Sequence, residues 1–528
     1  MLIGYVSDEQ YSALPDVLLE FVKEGESWEA RSRASGAVHG DIPPGNYLVT
    51  VAKPGFGSKR IALSFPRSKP YQFRLLSDAL LGYAWPKSVR GGMSGEFRVH
   101  STEPYQLELW RYGLEKEHVL SLGWHDEHAP RSVVQTIPDG DFTQVGAGWN
   151  GVGYQSAHHW QKVVAPDRSG LYYFHASTPS GQSFTFPWVV APSRPRSPIA
   201  VLASDITWNS YNSFGGRSNY IHADALPTTP TVCSRTELAR YLDEEYLGWN
   251  CRSYAPLSFD RPEPFNHVDL KTRVTDPISG RAACHLAPAE WRLLGWLERE
   301  KFAHDLYSET QLHHGEVDLS AYRVLILGAH PEYWTRTMYD RVKSWVFNEG
   351  GQLMYLGGNG LNCEVELRDD QTMVANNGQI RSLWPAGIGA ESRFAVRHES
   401  EARLLGVVFD PAGIMTAAPY RVISADHWVF AGTGLGEGDL FGVNSLHERC
   451  PGGASGHETD KISPNSPSNV KLLAKGLNPD EGGAEMAIFE TPSGGSVFSV
   501  GSITYISSLL CDSGVSQVTA NVVRRFLE

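Results

Sequence analysis

The chain is poor in cysteine, and the few that it has are scattered. Its 528 residues include six cysteines, and no two of them share the spacing of a CxxC motif. This pattern excludes a CxxC zinc knuckle and gives no sign of a disulfide framework. Disulfides are rare in reducing compartments, so this cysteine usage favours a cytoplasmic protein.

The sequence also lacks long apolar runs and an excess of positive charge. No apolar stretch approaches the roughly 20 residues that a membrane-spanning helix needs. The first ten residues, MLIGYVSDEQ, have neither the basic start nor the apolar core of a secretory signal. Asp and Glu number 59 against 46 Lys and Arg, which gives a net charge of −13. Such acidity argues against nucleic acid or an anionic membrane as a partner.

What the first 192 residues do have is a repeated pattern of short strands and turns. Residues 1–75 include DIPPGNYLVTVAKPGFGSKRIALSF, which resembles a transthyretin-like or carboxypeptidase-regulatory sandwich. Residues 76–192 continue with alternating polar and apolar positions, as in YQLELW, and predict a second, immunoglobulin-like sandwich. The segment APSRPRSP, with three prolines in eight residues, marks the next domain boundary.

Residues 199–528 alternate buried strands with helices, which predicts a doubly wound α/β domain. The clearest unit runs from Tyr322 to Gly360. It contains the apolar strand VLIL, a helix that begins after Thr335 and ends at Gly350, and a second apolar strand, LMYL. The predicted fold class is therefore multidomain β plus α/β, with two N-terminal β-sandwiches followed by the doubly wound domain.

Two ionisable residues, His330 and Glu332, follow the first strand of this unit. Ligands of open α/β sheets bind at the carboxyl ends of the strands, so the pair is a candidate site. A carboxylate after Pro331 can also serve only the nearby helix N-terminus, where the macrodipole favours negative charge. The residues alone leave both interpretations open.

Four strings extend this candidate site. They are TWNSYN, GAHPEYW, GGNG and EMAIFETPSGGSVFSVGS, in that order along the chain. With them the chain resembles the large (beta) subunit of N,N-dimethylformamidase and its relatives, best from about residue 199 to residue 528. The resemblance implies an α/β domain similar to class I glutamine amidotransferases, preceded by β-sandwich modules.

The resemblance further implies a metal-dependent amidohydrolase that cleaves a small amide or an N-substituted formamide. The expected centre is one metal ion, iron by this resemblance, held by tyrosinate and carboxylate. On residue-by-residue transfer, Tyr211 of TWNSYN and Glu332 of HPEYW are metal ligands. His330 becomes a catalytic partner, and Asn359 of GGNG becomes a polar residue of the pocket.

Two positions of the implied site stay open. Glu458 of GHETD is the preferred acid/base carboxylate, and Glu485 of AEMAIFE is its rival. Family members carry a tyrosine where this chain has Glu263 of DRPEPF, so either Glu263 is the third ligand or Tyr254 serves instead. A second carboxylate would make an all-oxygen site, which suits manganese or zinc as well as iron.

Covalent catalysis by cysteine is disfavoured by the same segment. In glutamine amidotransferases the nucleophile occupies a tight turn between strand and helix. The corresponding turn in this chain reads GAHPE, residues 328–332, and offers neither a thiol nor a hydroxyl.

A non-catalytic function is the second hypothesis. The sandwiches would then bind a carbohydrate or a protein through exposed tryptophans, for which Trp110, Trp124, Trp149 and Trp160 are the candidates. A stoichiometric metal would favour the enzyme, and its absence would favour the binding protein. The sequence determines neither the exact substrate nor whether the chain pairs with copies of itself or with a small partner subunit.

Overall fold

The computed structural model describes residues 1–125, 136–149, 161–232, 253–278, 284–369, 371–376 and 391–528. Over these ranges the chain is a multidomain, sheet-rich protein whose buried apolar side chains form three clusters. None of the helices within the same ranges is long and apolar enough to cross a membrane.

The first cluster lies between two small sheets. One sheet has the strand order β4-β1-β7 and the other β3-β2-β5-β6. Alternating burial, as in β5 where Tyr47, Val49 and Val51 point inward, is what a sheet with one covered face requires. The strands are β1 (Leu2–Ser7), β2 (Leu18–Lys23), β3 (Glu26–Arg31), β4 (Ala37–His39), β5 (Gly45–Ala52), β6 (Lys59–Phe65) and β7 (Tyr71–Arg74).

The second cluster also lies between two sheets, ordered β13-β10-β8 and β12-β11-β14-β15-β9. Its core is rich in aromatic residues, including Phe174 and Phe186 with stacked rings and the fully buried Trp188. The strands are β8 (Leu81–Trp85), β9 (Ser88–Arg90), β10 (Ser94–His100), β11 (Tyr105–Tyr112), β12 (Lys116–His125), β13 (Lys162–Val164), β14 (Gly170–Ser177) and β15 (Ser183–Ala191).

The third cluster surrounds a nine-stranded sheet. The central strands of the sheet are β16 (Ile199–Ala203), β18 (His304–Ser308), β19 (Val324–Ala329), β21 (Gln352–Gly357) and β32 (Ser496–Ser499). The sheet is completed by β26 (Tyr420–Val422), β27 (Leu440–Phe441), β30 (Lys471–Gly476) and β31 (Glu485–Glu490). Smaller sheets use β17 (Leu257–Ser258), β20 (Tyr333–Trp334), β22 (Cys363–Arg368), β23 (Thr372–Ala375), β24 (Val408–Asp410), β25 (Ala417–Ala418), β28 (Ser455–Gly456) and β29 (Thr459–Lys461).

The α-helices of the described residues all belong to this last part of the chain. They are α1 (Asp205–Tyr211), α2 (Ala287–Arg299), α3 (Glu309–His313), α4 (Arg336–Glu349), α5 (Arg393–Arg397), α6 (Ala402–Leu405) and α7 (Ser513–Leu527).

The nine-stranded sheet is only partly parallel. Its order is β18-β16-β19-β21-β32-β31-β30-β26-β27, and the first five strands are parallel while the last four pair antiparallel. The prediction of strands alternating with helices therefore describes one half of the sheet. The other half consists of antiparallel strands that this alternation did not predict. The likeness of this region to glutamine amidotransferases stays a prediction.

The predicted strand-helix-strand unit is present as β19, α4 and β21. The side chain of Thr335 accepts a hydrogen bond from the backbone N–H of Met338, which caps the N-terminus of α4. Gly350 ends the helix with φ of 80°, a conformation that favours glycine. β19 and β21 are buried on both faces and pair in parallel, as their unbroken apolar sequences predicted.

Of the tryptophans proposed for a binding surface, the three that lie within the described residues do not share one. Trp149 is fully buried in the second cluster, whereas Trp124 is 60% exposed. Trp110 is only partly buried and stacks on His175, and Trp160 lies outside the described residues.

Candidate functional site

The candidate site lies at the switch point of the parallel strands, where the order in which the chain adds strands to the sheet reverses. From β16 the chain moves to β18 on one side, then returns to β19 on the other side of β16 and continues to β21. A crevice forms between two such strands because their connections leave in opposite directions, and ligands of open α/β sheets bind there. Tyr211 follows β16 at the end of α1, and His330 and Glu332 follow β19.

A strained turn presents His330 and Glu332 at this crevice. Ala329, the last residue of β19, has φ of 54°, which is uncommon for a residue with a side chain. Such conformations persist only where the surrounding structure holds them, and they concentrate at functional sites. The residue at the sharp point of the turn is therefore an alanine, which agrees with the absence of a nucleophile in GAHPE.

One oxygen of the Glu332 carboxylate gathers three polar side chains. Its Oε2 atom accepts hydrogen bonds from the hydroxyls of Tyr211 at 2.9 Å and Tyr220 at 2.5 Å. The Nε2 atom of His330 lies 2.9 Å from the same oxygen and 3.1 Å from the Tyr211 hydroxyl. Thr207 fixes the backbone here, because its hydroxyl accepts the N–H of Glu332 at 3.1 Å. Two phenols, an imidazole and a carboxylate thus converge on one point.

His330 and Glu332, both buried, each stabilise the charged form of the other. Burial alone disfavours a protonated His330, but the carboxylates of Glu332 and Glu458 outweigh this effect and raise the pKa of His330 to about 9. Burial likewise disfavours an ionised Glu332, yet His330 and the hydrogen bonds from the two phenols hold its pKa below the usual value. At neutral pH the site therefore contains an imidazolium beside a carboxylate.

Unlike His330 and Glu332, the phenol of Tyr220 is held in its uncharged form. Burial first, and then the negative charge of Glu332, raises its pKa well above the ordinary value. Tyr333, whose hydroxyl donates to that of Tyr220 at 3.1 Å, is affected in the same way. These phenols remain protonated unless a cation replaces their hydrogens.

A second loop brings Asn359 and Glu458 to the pocket. The side-chain amide of Asn359 donates to Oε2 of Glu458 at 2.8 Å, and that oxygen lies 3.7 Å from Nε2 of His330. The backbone N–H of Asn359 donates to Asp460 at 2.8 Å, and the residue has φ of 49°. Gly358 allows the two turns to touch, because a Cβ atom there would lie 2.4 Å from the carbonyl oxygen of Glu458.

The orientation of His330 is set by its other nitrogen. Its Nδ1–H donates to the carbonyl oxygen of Gly358 at 2.9 Å, so Nε2 faces the carboxylates. Of the residues predicted for the site, Tyr211, His330, Glu332, Asn359 and Glu458 are therefore brought together.

Glu263, predicted as the third ligand, is placed elsewhere. Its carboxylate forms an ion pair with Lys87 at 3.4 Å and accepts the side-chain amide of Asn266 at 3.2 Å. Lys87 belongs to the second sandwich, so Glu263 joins two parts of the chain. The local sequence DRPEPF contained no signal for this partner, which is more than 170 residues away.

Two residues were alternatives to those above: Glu485 for the acid/base carboxylate and Tyr254 for the third ligand. The contacts described for them do not include Glu332. Glu485 accepts the backbone N–H of Ile462 at 2.9 Å and lies 3.8 Å from Lys475 on the neighbouring strand. Tyr254 is buried and near enough to Tyr333 to raise its pKa. The second phenol that donates to Glu332 is that of Tyr220.

Three residues of the site were not predicted from the sequence. Tyr220 follows the string TWNSYN, nine residues after Tyr211, and its ring stacks on that of Tyr211 with the centroids 4.2 Å apart. The ring of His285 lies 4.6 Å from Tyr211 and 5.5 Å from His330. The thiol of Cys363 lies 3.9 Å from Oε1 of Glu332. The only signal available for Tyr220 was that it lies close in sequence to Tyr211, which had already been chosen. His285 and Cys363 had none.

A second group that could hold a metal ion lies near the first. His447, Cys450 and His457 are buried, and one ligating atom from each lies within 4.8 Å of the others. His457 directly precedes Glu458 in the chain. No pattern in the sequence had indicated a role for these three residues.

The fold and the site define a class: multidomain proteins in which β-sandwiches precede a large sheet that carries buried phenol, imidazole and carboxylate groups. Within that class the family is shown by a match over residues 116–517 to the model described as "N,N-dimethylformamidase beta subunit-like, C-terminal". The chain belongs to this family.

Two curated relatives are N,N-dimethylformamidase beta subunits. The protein from Paracoccus aminophilus is 24% identical over 508 residues, and the protein from an Alcaligenes species is 25% identical over 510 residues. Each alignment covers 79% of this chain and 62% of the relative. The chain thus spans less than two thirds of the length of these relatives.

Among solved structures, a DUF3823 family protein from Bacteroides ovatus aligns with 35% of this chain and 98% of its own. The identity is 8% and the TM-score is 0.13. A score that low assigns no shared fold.

Proposed function

We propose that the chain is a metal-dependent amidohydrolase that cleaves the C–N bond of a small linear amide, with N-substituted formamides as the first substrates to test. The observation that carries this proposal is the convergence of Tyr211, Tyr220 and His330 on one oxygen of Glu332. The names of the two relatives supply the substrate class.

The donor set fits a metal ion. The two phenol oxygens and the carboxylate oxygen lie close enough to face one cation, and hard oxygen donors suit iron, with manganese and zinc as further candidates. We assign Tyr211, Tyr220 and Glu332 as the residues that would hold it. When bound, such an ion polarises a carbonyl group and lowers the pKa of water. A cation also explains why phenols that otherwise stay protonated are gathered around a carboxylate.

The residues beside this set provide proton transfer. Hydrolysis adds water to the carbonyl carbon, breaks the C–N bond and leaves a carboxylic acid and an amine. The carboxylate of Glu458 accepts a proton from the attacking water, and Asn359 holds that carboxylate in place. His330, whose Nε2 atom lies 2.9 Å from Glu332 and 3.7 Å from Glu458, donates a proton to the departing nitrogen. After each turnover Glu458 releases its proton to solvent and His330 takes one up, so that both groups return to their starting states.

Several further features belong to the same proposal. The site residues Tyr211, Glu332 and Asn359 are each at most 9% exposed, which suits a small substrate. The relatives are beta subunits, so a partner subunit or a homo-oligomer is proposed for this chain as well. We also propose that the parallel half of the large sheet is the glutamine amidotransferase-like part of the fold.

The experiment is metal analysis and an amidase assay on Glu332→Gln, with Glu290→Gln as the matched control. Both glutamates are buried and accept hydrogen bonds, but Glu290 bonds Ser204 and Trp208, away from the cluster. We expect about one metal ion per wild-type chain and a loss of at least about tenfold in metal content and in formamide hydrolysis for E332Q. The control should keep both. Wild-type protein without a stoichiometric metal, or E332Q with unchanged metal and activity, would contradict the proposal.

A further inference from the structure

A compact group of nitrogen and sulfur donors lies beside the site described above. His447 and Cys450 come from the segment after β27, and His457 comes from the turn between β28 and β29. Their side chains are 1%, 2% and 4% exposed, respectively. The short stretch of residues 447–457 therefore brings two imidazoles and a thiol together in the interior.

The separations within this group suit a small cation. Zinc binds imidazole nitrogen at about 2.0–2.1 Å in a tetrahedral arrangement, so two ligating nitrogens lie roughly 3.3–3.4 Å apart. Nδ1 of His457 and Nε2 of His447 are 3.3 Å apart. The ligating atoms of all three residues lie within 4.8 Å of one another, so the thiol can reach the same ion with a small adjustment.

Without an ion, the two rings share a hydrogen. The backbone N–H of Cys450 donates to Nδ1 of His447 at 3.0 Å, which leaves the hydrogen of that ring on Nε2, facing His457. An ion at Nε2 requires this hydrogen to move to Nδ1, with loss of the bond from Cys450, and the thiol to lose its proton. Binding therefore replaces two hydrogen bonds and the thiol S–H bond with three metal bonds, and it releases one proton.

We propose that His447, Cys450 and His457 form a second metal site, which takes Zn²⁺ or a similar borderline-soft divalent cation. Its donors differ from the oxygen-rich set at Glu332, and thiolate with imidazole is the combination that zinc prefers. The two sites adjoin, because the ring of His285 lies 5.4 Å from that of His457 and 5.5 Å from that of His330.

The location gives this second ion a positioning role. His457 has φ of 65°, a strained conformation, and it immediately precedes Glu458. Glu458 in turn faces Asn359 and His330. An ion that joins His457 to the loop of His447 and Cys450 would hold the strained turn, and with it the carboxylate, in place.

Cobalt substitution tests the proposal through a signal that only sulfur ligation produces. Chelator-treated wild-type protein titrated with Co²⁺ should develop a thiolate-to-cobalt charge-transfer absorption that saturates at about one equivalent. We expect Cys450→Ser to lose this absorption. Cys511→Ser, which removes an exposed thiol outside the group, should keep it.

Glu332→Gln separates the two metal sites. If E332Q keeps the thiolate-to-cobalt absorption while it loses hydrolysis, the soft site exists independently of the hydrolase centre. Absence of the absorption in wild-type protein, or its persistence in C450S, overturns the second site and leaves the hydrolase proposal untouched.

If C450S fails to fold, the E332Q variant, which keeps Cys450, decides the question. X-ray absorption at the zinc edge of zinc-loaded E332Q should then show a sulfur neighbour at about 2.3 Å. A shell of only nitrogen and oxygen neighbours in that spectrum overturns the proposal.

Discussion

At the scale of single residues, the site depends on which side chains can share one oxygen of Glu332. Three donors within hydrogen-bonding distance of one carboxylate oxygen are more than the two lone pairs of that oxygen require. The surplus is understandable if a cation replaces the hydrogens of the two phenols. Tyr220 thereby becomes as important as Tyr211, although only the latter was expected from the sequence.

Tyr220→Phe is expected to lower metal retention about 10- to 100-fold without unfolding the protein, because it removes one oxygen donor and leaves the stacked ring. Metal titration with a competing chelator measures the change. Tyr307→Phe is the matched control, since Tyr307 bonds only to Tyr322 among the described hydrogen bonds, away from the site. Equal metal affinity in Y220F and Y307F would remove Tyr220 from the ligand set.

Glu290 gives a prediction about pH. Burial raises its pKa from 4.5 to about 8, so the folded protein holds a proton that the unfolded chain releases. The stability that this proton contributes is present in full below pH 4.5 and is lost as the pH rises to about 8. The free energy of unfolding should therefore decrease less across this pH range in Glu290→Gln than in wild-type protein. The expected difference is on the order of 1–4 kcal/mol.

Urea unfolding of wild-type protein and E290Q at pH 5 and pH 8.5 measures this difference. The glutamine oxygen can still accept from the N–H of Ser204 and the indole of Trp208, so little should change at pH 5. If wild-type protein and E290Q differed in free energy of unfolding by the same amount at pH 5 and at pH 8.5, Glu290 would be ionised in the folded protein.

At the scale of elements, the turns that end β19 and begin α4 set the geometry of the site. The apolar sequence of β19 requires burial, Pro331 ends the strand, and Thr335 starts the helix only six residues after Ala329. His330 and Glu332 are confined to this short connection. The cap at Thr335 therefore contributes to the stability of the segment that carries them.

Thr335→Ala should lower the free energy of unfolding by about 1 kcal/mol, the usual value for loss of an N-cap. The threonine hydroxyl accepts the N–H of Met338 at 3.2 Å and lies 2.8 Å from Nδ1 of His313. Thr335→Ser keeps the hydroxyl and should behave like wild type in chemical denaturation. A loss of equal size in both variants would assign the effect to packing of the methyl group.

At the scale of the whole molecule, buried ion pairs join the second sandwich to the large sheet region. Lys87 lies between β8 and β9, and its ammonium group pairs with Glu263 and donates to the carbonyl oxygen of Arg261. Burial lowers the pKa of Lys87, although Glu263 opposes the shift. Removing either partner leaves the other charge buried and unpaired.

Lys87→Met and Glu263→Gln are each expected to lower the free energy of unfolding by about 3–5 kcal/mol. The double variant should lose less than the sum of the two, because the charges then disappear together. Metal content should stay at the wild-type level in all three proteins. A specific loss of metal in E263Q alone would restore Glu263 as a ligand.

The sequence and the structure agree where the determining interactions are local. The strand-helix-strand unit follows from an apolar run, a proline, a cap and a glycine, all within 40 residues. His330 and Glu332 could be predicted as site residues because the end of a buried strand is a known place for ligands. By contrast, the contact of Tyr220 with Glu332 and the ion pair of Lys87 with Glu263 could not be predicted. Each of these outcomes depends on contacts across more than 100 residues.

The sequence by itself determined that the chain is a sheet-rich, multidomain protein of this family and that GAHPE ends a buried strand. Hydrophobic period and turn chemistry suffice for the strands and the turn, since both act between neighbouring residues, whereas the family was indicated by the resemblance of four short strings. Only the tertiary structure decided which phenols share the carboxylate, that Asn359 holds Glu458, and that His447, Cys450 and His457 meet. Close approach of side chains depends on how distant segments pack, and no pattern along the chain encodes those distances.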